Sequence, residues 1–511
     1  MLANASITVE VRLLPALAPQ LGQDEDRQGP RLPYPAQHEG REPADPALHG
    51  VVFAIVFGSR DAPANSPPLC PPATPLEGGG EWLRQTRPLQ YGRRREREGV
   101  DTLKVRDARD VEQVVRAAIA GDQPLEIIGH GSKRQVGQPM ATNAVLDLSA
   151  LNAVSSYEPN ELIITVEAGA PLADVKSLID AKNQQFAFDP MDTAPLLGTP
   201  EIGTIGGMIG AGLAGPRRVK AGGARDHLLG AHAVSGFGDS FKTGGKVVKN
   251  VTGYDLCKLL AGSWGTLAVM TEVTLKVMPR PETERTLLLR GLDDVTANRA
   301  MTSALGSPFD VSSAAHLPNS VFRPAGGALA SLASPGQAVT LLRLEGIEAS
   351  VTSRADSLTK LVAGFGAAEI VGDTASTEAW AAIRDVLPFA AGGALGAWPV
   401  WRIVCPPASG GALGQMLARE TGGDVIYDWG GGLIWAALPP KPDAQAARLR
   451  SRVEAAGGHA MLIRAAEEVR RHLDVFQPQA AGLAALGERV RQSFDPKNIL
   501  NRGRMARGTP T

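Results

Sequence analysis

The chain has 511 residues, a net charge of −1 and only three cysteines, Cys70, Cys257 and Cys405, set far apart. The near-neutral balance argues against a nucleic-acid or anionic-lipid surface. Cysteines without C-x-x-C spacing argue against a disulfide framework, a zinc site and an iron–sulfur cluster. The length allows about three domains.

Residues 1–98 carry Pro63, Pro67, Pro68, Pro71, Pro72 and Pro75, end near a basic run at 93–97, and have almost no hydrophobic period. Such a stretch cannot bury enough apolar surface to offset its ordering entropy, so a disordered extension is expected. No basic segment followed by an apolar core opens the chain, so no signal peptide is expected, and the setting is read as reducing and cytoplasmic.

Order is expected from about residue 99. Leu103–Val105 reads as a strand, and Asp107 can cap a helix whose Val111, Val114, Val115, Ala118 and Ile119 recur at helical spacing. Leu125–Ile128 is a buried strand that runs into Gly129-His-Gly-Ser-Lys133. A strand followed by glycines invites a dinucleotide fingerprint, but that needs G-x-G-x-x-G and an amphipathic helix directly after. Here Arg134–Pro139 has no helical period. The loop reads instead as a phosphate cradle made of its backbone N–H groups and the Ser132 hydroxyl, with Lys133 as a nearby charge.

Strands at 144–148 and 162–166 and a helix over 171–182 follow. Next comes the densest glycine stretch, with glycines at 203, 206, 207, 210, 212 and 215. Glycine at that density costs backbone entropy and signals positive φ or close approach to the main chain. Leu228–Ser235 and Ser240–Lys246 read as a hairpin around Gly236–Asp239. The polar segment Lys249–Leu256 precedes Gly262-Ser-Trp-Gly-Thr266 and a strand over 267–277, closed by Pro279 and Pro281.

From about 282 the composition turns to Ala, Leu and Ser. Strands are expected at 339–344, 400–404 and 433–438, and helices around 351–364, 376–386, 443–456 and 464–476. No fixed-period repeat stands out. The reading is a 99–281 domain, a 282–478 α+β domain and a 479–511 tail that returns to the first.

The three glycine stretches, in this order, resemble the FAD domain of the vanillyl-alcohol oxidase / p-cresol methylhydroxylase flavoproteins. Within that superfamily Lys249-Asn-Val-Thr-Gly-Tyr-Asp-Leu256 is similar to D-lactate dehydrogenases and glycolate oxidase flavosubunits. Ala211–Arg218, Tyr427–Leu433 and Ala456–Ala460 resemble the smaller FAD-binding subunits of bacterial glycolate oxidases. The resemblance implies an α+β fold with a two-part FAD domain and a cap domain. It implies non-covalent FAD held by Gly129, His130, Gly131, Ser132, Lys133, Gly203, Thr204, Ile205, Gly206, Gly207, Gly212, Gly265, Val269 and Thr271. It also implies a larger catalytic FAD subunit and an iron–sulfur subunit as partners, a small 2-hydroxy-acid substrate, and membrane contact only through the complex. The family tail ends in Asn-Pro-Gly-Arg, where this chain has Asn501-Arg-Gly-Arg504.

No metal site is expected, since His316, His459 and His472 are isolated where catalytic relatives cluster histidines. Catalytic residues are not assigned; Lys249 and Tyr254 in their polar loop and His459 in a glycine-rich turn are the candidates. Arg225 and Asp226 read as a surface pair or a charge near the flavin ring. Trp398, Trp401, Arg402, Trp429 and Trp435 read as core and interface residues, with cap tryptophans on the partner surface. Three functions stay open: a flavin subunit of a glycolate dehydrogenase, a self-sufficient 2-hydroxy-acid oxidase, and a non-catalytic scaffold.

Overall fold

Asp107 accepts a hydrogen bond from Asp110 N at 2.9 Å, and the helix Ala108–Ala120 begins there with Val111, Val114 and Val115 buried. The computed structural model of the chain describes residues 100–142, 144–245, 254–322, 329 and 336–507. The expected N-terminal extension and Lys249 lie outside these residues. The Ala108–Ala120 helix packs on a parallel sheet in which Ala144–Asp147 runs between Asp101–Lys104 and Leu125–Ile128.

A second sheet is antiparallel, in the order Val154–Glu158, Ile163–Glu167, Ala268–Lys276, Leu228–Ser235, Ser240–Gly244. The helix Ile205–Ala211 lies on it, with Ile205, Met208 and Ile209 buried among Val166, Ala168 and Met270. These two sheets form the half of the chain expected to hold FAD.

The cap is one eight-stranded antiparallel sheet. Its strands run Ala368–Val371, Thr283–Arg290, Val339–Gly346, Ser313–Leu317, Asp424–Asp428, Leu433–Ala437, Val400–Val404, His459–Arg464. Alternation splits its side chains between two cores. Leu287, Leu289, Leu342 and Leu344 meet the helices Asp294–Leu305, Glu348–Val362, Gly410–Thr421 and Ala446–Ala455. Leu288, Leu341, Ile426 and Trp435 face the other way, onto Leu196, Ala211, Leu213 and Trp264 of the FAD half.

The sheet is built twice over. Each half runs strand–helix–strand–strand–helix–strand, first through 283–371 and then through 400–464, and the halves meet where His316 pairs with Tyr427. This internal duplication was not visible as a sequence repeat. The expected helix at 464–476 is instead the end of a strand and a short helix, Glu467–His472. Trp401, Trp429 and Trp435 are buried, as the core reading of them expects, and so do not form the partner-facing surface also expected of cap tryptophans.

Cap and FAD half are joined by a buried ion network. Arg217, just after the glycine stretch, pairs with Glu345 at 2.7 Å, Asp189 at 3.6 Å and Glu284 at 3.7 Å. Arg343 from the cap sheet lies 3.5 Å from Asp189, 3.5 Å from Glu345 and 3.8 Å from Glu284, and stacks on Trp380. Burial pushes the Glu345 carboxyl up, but Arg343 and Arg217 outweigh it and hold it down at about 2. Removing one cation strands buried carboxylates. Arg343→Met should therefore cost about 3–5 kcal/mol, read as a clear fall in melting temperature. Arg452→Met, at a surface pair with Glu420, should cost less than about 1 kcal/mol.

Candidate functional site

Four segments distant in sequence converge on one cleft: the loop 129–134, the helix 205–211 with its cap Thr204, the segment 264–270, and Asn501 with Arg504. The Leu125–Ile128 strand delivers the first. Gly131 has φ +82°, where a β-branched residue would be strained. The N–H groups of His130, Gly131, Ser132 and Lys133 find no acceptor among the described residues. His130 Nε2 is buried and unpaired as well. Burial pushes the Lys133 ammonium down to about 8, with Asp192 opposing, and its Nζ reaches only Ser132 Oγ at 3.4 Å. Unsatisfied donors beside a desolvated lysine, in a glycine-lined cleft, fit a pyrophosphate. The residues present therefore fit FAD.

The second segment is seated by packing. Thr204 Oγ1 accepts from Gly207 N at 3.1 Å, and Gly206 N donates to Ala168 O at 2.7 Å. A Cβ on Gly206 would stand 2.7 Å from Ala168 Cβ and 2.9 Å from its carbonyl oxygen. Gly206 is therefore demanded by the approach of helix to strand, with the cleft on its other side. The third segment locks onto the same helix, since Gly262 N donates to Ile209 O at 3.0 Å and Trp264 N to Gly210 O at 2.9 Å.

The tail closes the site. Asn501 accepts from Ile127 N at 2.8 Å through Oδ1 and donates to Trp264 O at 2.7 Å through Nδ2. Arg504 Nη2 donates to Lys133 O at 2.9 Å, holding the first loop. Burial pushes the Arg504 guanidinium down to about 10, with Glu126 opposing.

Of the expected cofactor residues, Gly129, His130, Gly131, Ser132, Lys133, Thr204, Gly206, Gly207 and Gly265 line the cleft. Gly203 lies beside it, where a Cβ would come 3.8 Å from Lys133 Nζ. Ile205 is core, and Gly212 caps the helix C-terminus with φ +63°. On the Ala268–Lys276 strand it is Ala268 and Met270 that face the cleft. Val269 packs with Val111 and Leu500 on the opposite side, and Thr271 donates to His232 O at 3.2 Å. The expected contacts, Val269 and Thr271, thus fall on the other parity of that strand. The expectation also lacked Arg134, Trp264, Asn501 and Arg504, which line the cleft, although the expected return of the tail pointed towards the last two.

The other candidates sit elsewhere. Tyr254 is exposed beside the undescribed segment, and His459 is exposed at the start of an edge strand, not in a turn. Burial and then Arg402 push the His459 imidazole below its usual range. Asp226 Oδ2 accepts from Gly223 N at 2.8 Å and serves its own turn. His316 is core, with Nδ1 2.9 Å from Thr340 Oγ1.

Asp428, buried at a cap strand end, accepts from Trp429 N at 2.7 Å. Burial raises its carboxyl to about 7 against the pull of that hydrogen bond and of Arg343.

The FAD binding domain family matches residues 102–244. The chain is 32% identical over 395 residues to "Glycolate oxidase subunit GlcE" of Escherichia coli (strain K12), covering 76% of this chain and 95% of that protein. It is 36% identical to "Glycolate oxidase subunit GlcD" of Bacillus subtilis (strain 168) over 29% of this chain and 30% of that protein. Among solved structures, p-cresol methylhydroxylase with substrate bound superposes with a TM-score of 0.58 at 14% identity, covering 80% of this chain and 88% of that one, which speaks to fold alone.

Two predictions follow from the geometry. Gly131→Val should give folded protein, by circular dichroism, that has lost its flavin absorbance. Gly206→Val, by contrast, should lower the melting temperature because it drives the helix off Ala168. Separately, the native Asp428 holds a proton that the unfolded chain has released between the ordinary carboxylate range and about pH 7. Its contribution to stability is thus lost as pH rises through that window. The melting temperature of Asp428→Asn should gain on wild type between about pH 5 and about pH 8.

Proposed function

The chain belongs to the family of the glycolate oxidase subunit GlcE, and on that premise we propose that it is the FAD-binding subunit of a multi-subunit glycolate dehydrogenase. The reading rests above all on a match that runs through 76% of this chain and 95% of that relative.

In this reading the N–H groups of residues 130–133 hold the pyrophosphate, and Lys133 supplies a positive charge. Thr204, Gly207, Trp264, Gly265 and Met270 line the same cleft and would border the cofactor. Arg504 fixes the cradle through the Lys133 carbonyl, so its role is positioning. The chemistry a bound FAD supplies is acceptance of a hydride from the carbon bearing the hydroxyl, which turns glycolate into glyoxylate once the hydroxyl proton leaves. Ala211 and Trp264 would add an apolar surface to the cleft that holds the cofactor, which limits the entry of water there.

Electrons must then leave. The chain's three cysteines have no cluster spacing, so an iron–sulfur partner and a larger flavoprotein subunit carry them onward. No helix of the described residues is long and apolar enough to cross a membrane, and membrane contact in this reading runs through the complex.

The test is anaerobic. The isolated chain, mixed with glycolate, should bleach its flavin slowly or not at all, and adding the partner subunits should restore fast bleaching. Bleaching of the isolated chain at the rate of the whole complex would make this subunit the dehydrogenase by itself.

A further inference from the structure

The seam between cap and FAD half holds arginines whose N–H groups the fold satisfies with carboxylates or carbonyls, and two, among the described residues, that it leaves without either. Arg217, Arg343 and Arg384 each meet carboxylates, and Arg464 donates to the carbonyls of Leu196, Phe389, Leu395 and Trp398. Arg402 is different. It lies on the Val400–Val404 strand, and its cross-strand neighbours are Trp435 and Met461, both part of the apolar seam. Its guanidinium makes no hydrogen bond and no ion pair among the described residues. Its contact is with a ring: Arg402 Cζ lies 5.1 Å from the Trp429 centroid.

Arg218, arriving from the FAD half, places its Cζ 4.6 Å from the same centroid, and it too has no carboxylate partner among the described residues. Two like charges thus share one indole. Burial, and after it the repulsion of Arg218, pushes the Arg402 guanidinium down to about 10, and the opposing pull of Asp428 does not offset this. The ring is fixed, because Trp429 Nε1 donates to Gly215 O at 3.0 Å. A guanidinium stacked on a fixed ring keeps its planar edge of N–H donors free, the geometry that takes a carboxylate with two hydrogen bonds. An arriving anion would relieve both the missing partner and the repulsion.

The cluster adjoins the segment that leaves the cofactor cleft, since Gly215, which holds the Trp429 indole, is four residues past the cleft residue Ala211. Trp429 belongs to the same apolar cluster as Ala211 and Trp264, and those two residues also line the cofactor cleft. We propose that Arg402 and Arg218, held on Trp429, form a clamp for the carboxylate of a small 2-hydroxy acid. The proposal rests on the reading above, in which such an acid is oxidised next to this chain's flavin. It gives this subunit a substrate subsite of its own.

The probe is oxalate, a dicarboxylate with no C–H bond to oxidise, titrated calorimetrically into the FAD-loaded protein. Wild type should bind it saturably. Arg402→Met should weaken binding about 10–100-fold, the loss of a charge-assisted pair of hydrogen bonds. Arg402→Lys should fall between the two, and the exposed Arg218→Met should weaken binding by less. Absence of saturable binding in wild type, or an unchanged Kd in Arg402→Met, would overturn the clamp. Should Arg402→Met fail to fold, Arg218→Met decides, and an unchanged Kd there rejects the two-arginine arrangement. The two proposals part company in the glycolate experiment with the complete complex. Oxalate binding that vanishes in the variants while this chain's flavin never bleaches keeps the clamp and rejects glycolate oxidation at this flavin. Bleaching of this chain's flavin that is undiminished in Arg402→Met does the reverse.

Discussion

The contact on which the arrangement most depends is made by Arg217. It stands at the end of the glycine-dense stretch and is paired at once with Asp189 of its own half and with Glu284 and Glu345 of the cap. The same few residues carry the Trp429 indole to the Gly215 carbonyl. The segment that begins as one wall of the cofactor cleft therefore ends as the anchor of the cap. Displacing the cap would pull on a helix that is itself wedged against Ala168 with no room for a Cβ. Cleft and seam are in this sense one mechanical unit.

The tail completes that unit from the other side. Its Asn501 fixes two strangers in sequence, the Ile127 amide and the Trp264 carbonyl, and its Asp495 accepts from the amides of Ile499 and Leu500 to hold the turn. The family motif has proline where this chain has Arg502. Here Arg502 Nε donates to Asn498 O at 2.7 Å, so a side-chain bond stiffens the turn that proline would otherwise restrict.

Much of the FAD half was legible because its signals are local. A capping aspartate, a strand running into glycines and a dense glycine run each name their own conformation. The parity of the Ala268–Lys276 strand was not, because Val269 and Met270 are both apolar and both buried, against different cores. The cap hid more. Its strands are apolar on both faces, as Leu287, Leu288 and Leu289 show, so the period of two that marks a strand is erased. The same feature concealed the duplicated half-sheets, whose likeness lies in hydrogen-bond order and not in residue identity. His459 looked like part of a turn because two glycines precede it, while its pairing with Val404 is set by a strand distant in sequence.

The charges of the seam carry the last step. A chain selected only for stability would replace Arg402 by an apolar residue, since a half-buried guanidinium beside Trp429 and Trp435 with no carboxylate bonded to it among the described residues is a net cost. Its neighbours show that this sequence knows how to satisfy a buried arginine, with carboxylates at Arg343 and carbonyls at Arg464. Asp428, close enough to act on Arg402, is instead held near neutrality and bonded to the Trp429 amide. Neither group cancels the other. A guanidinium left without a carboxylate bond beside the Trp429 ring is an arrangement that anion binding can use, and packing alone does not call for it.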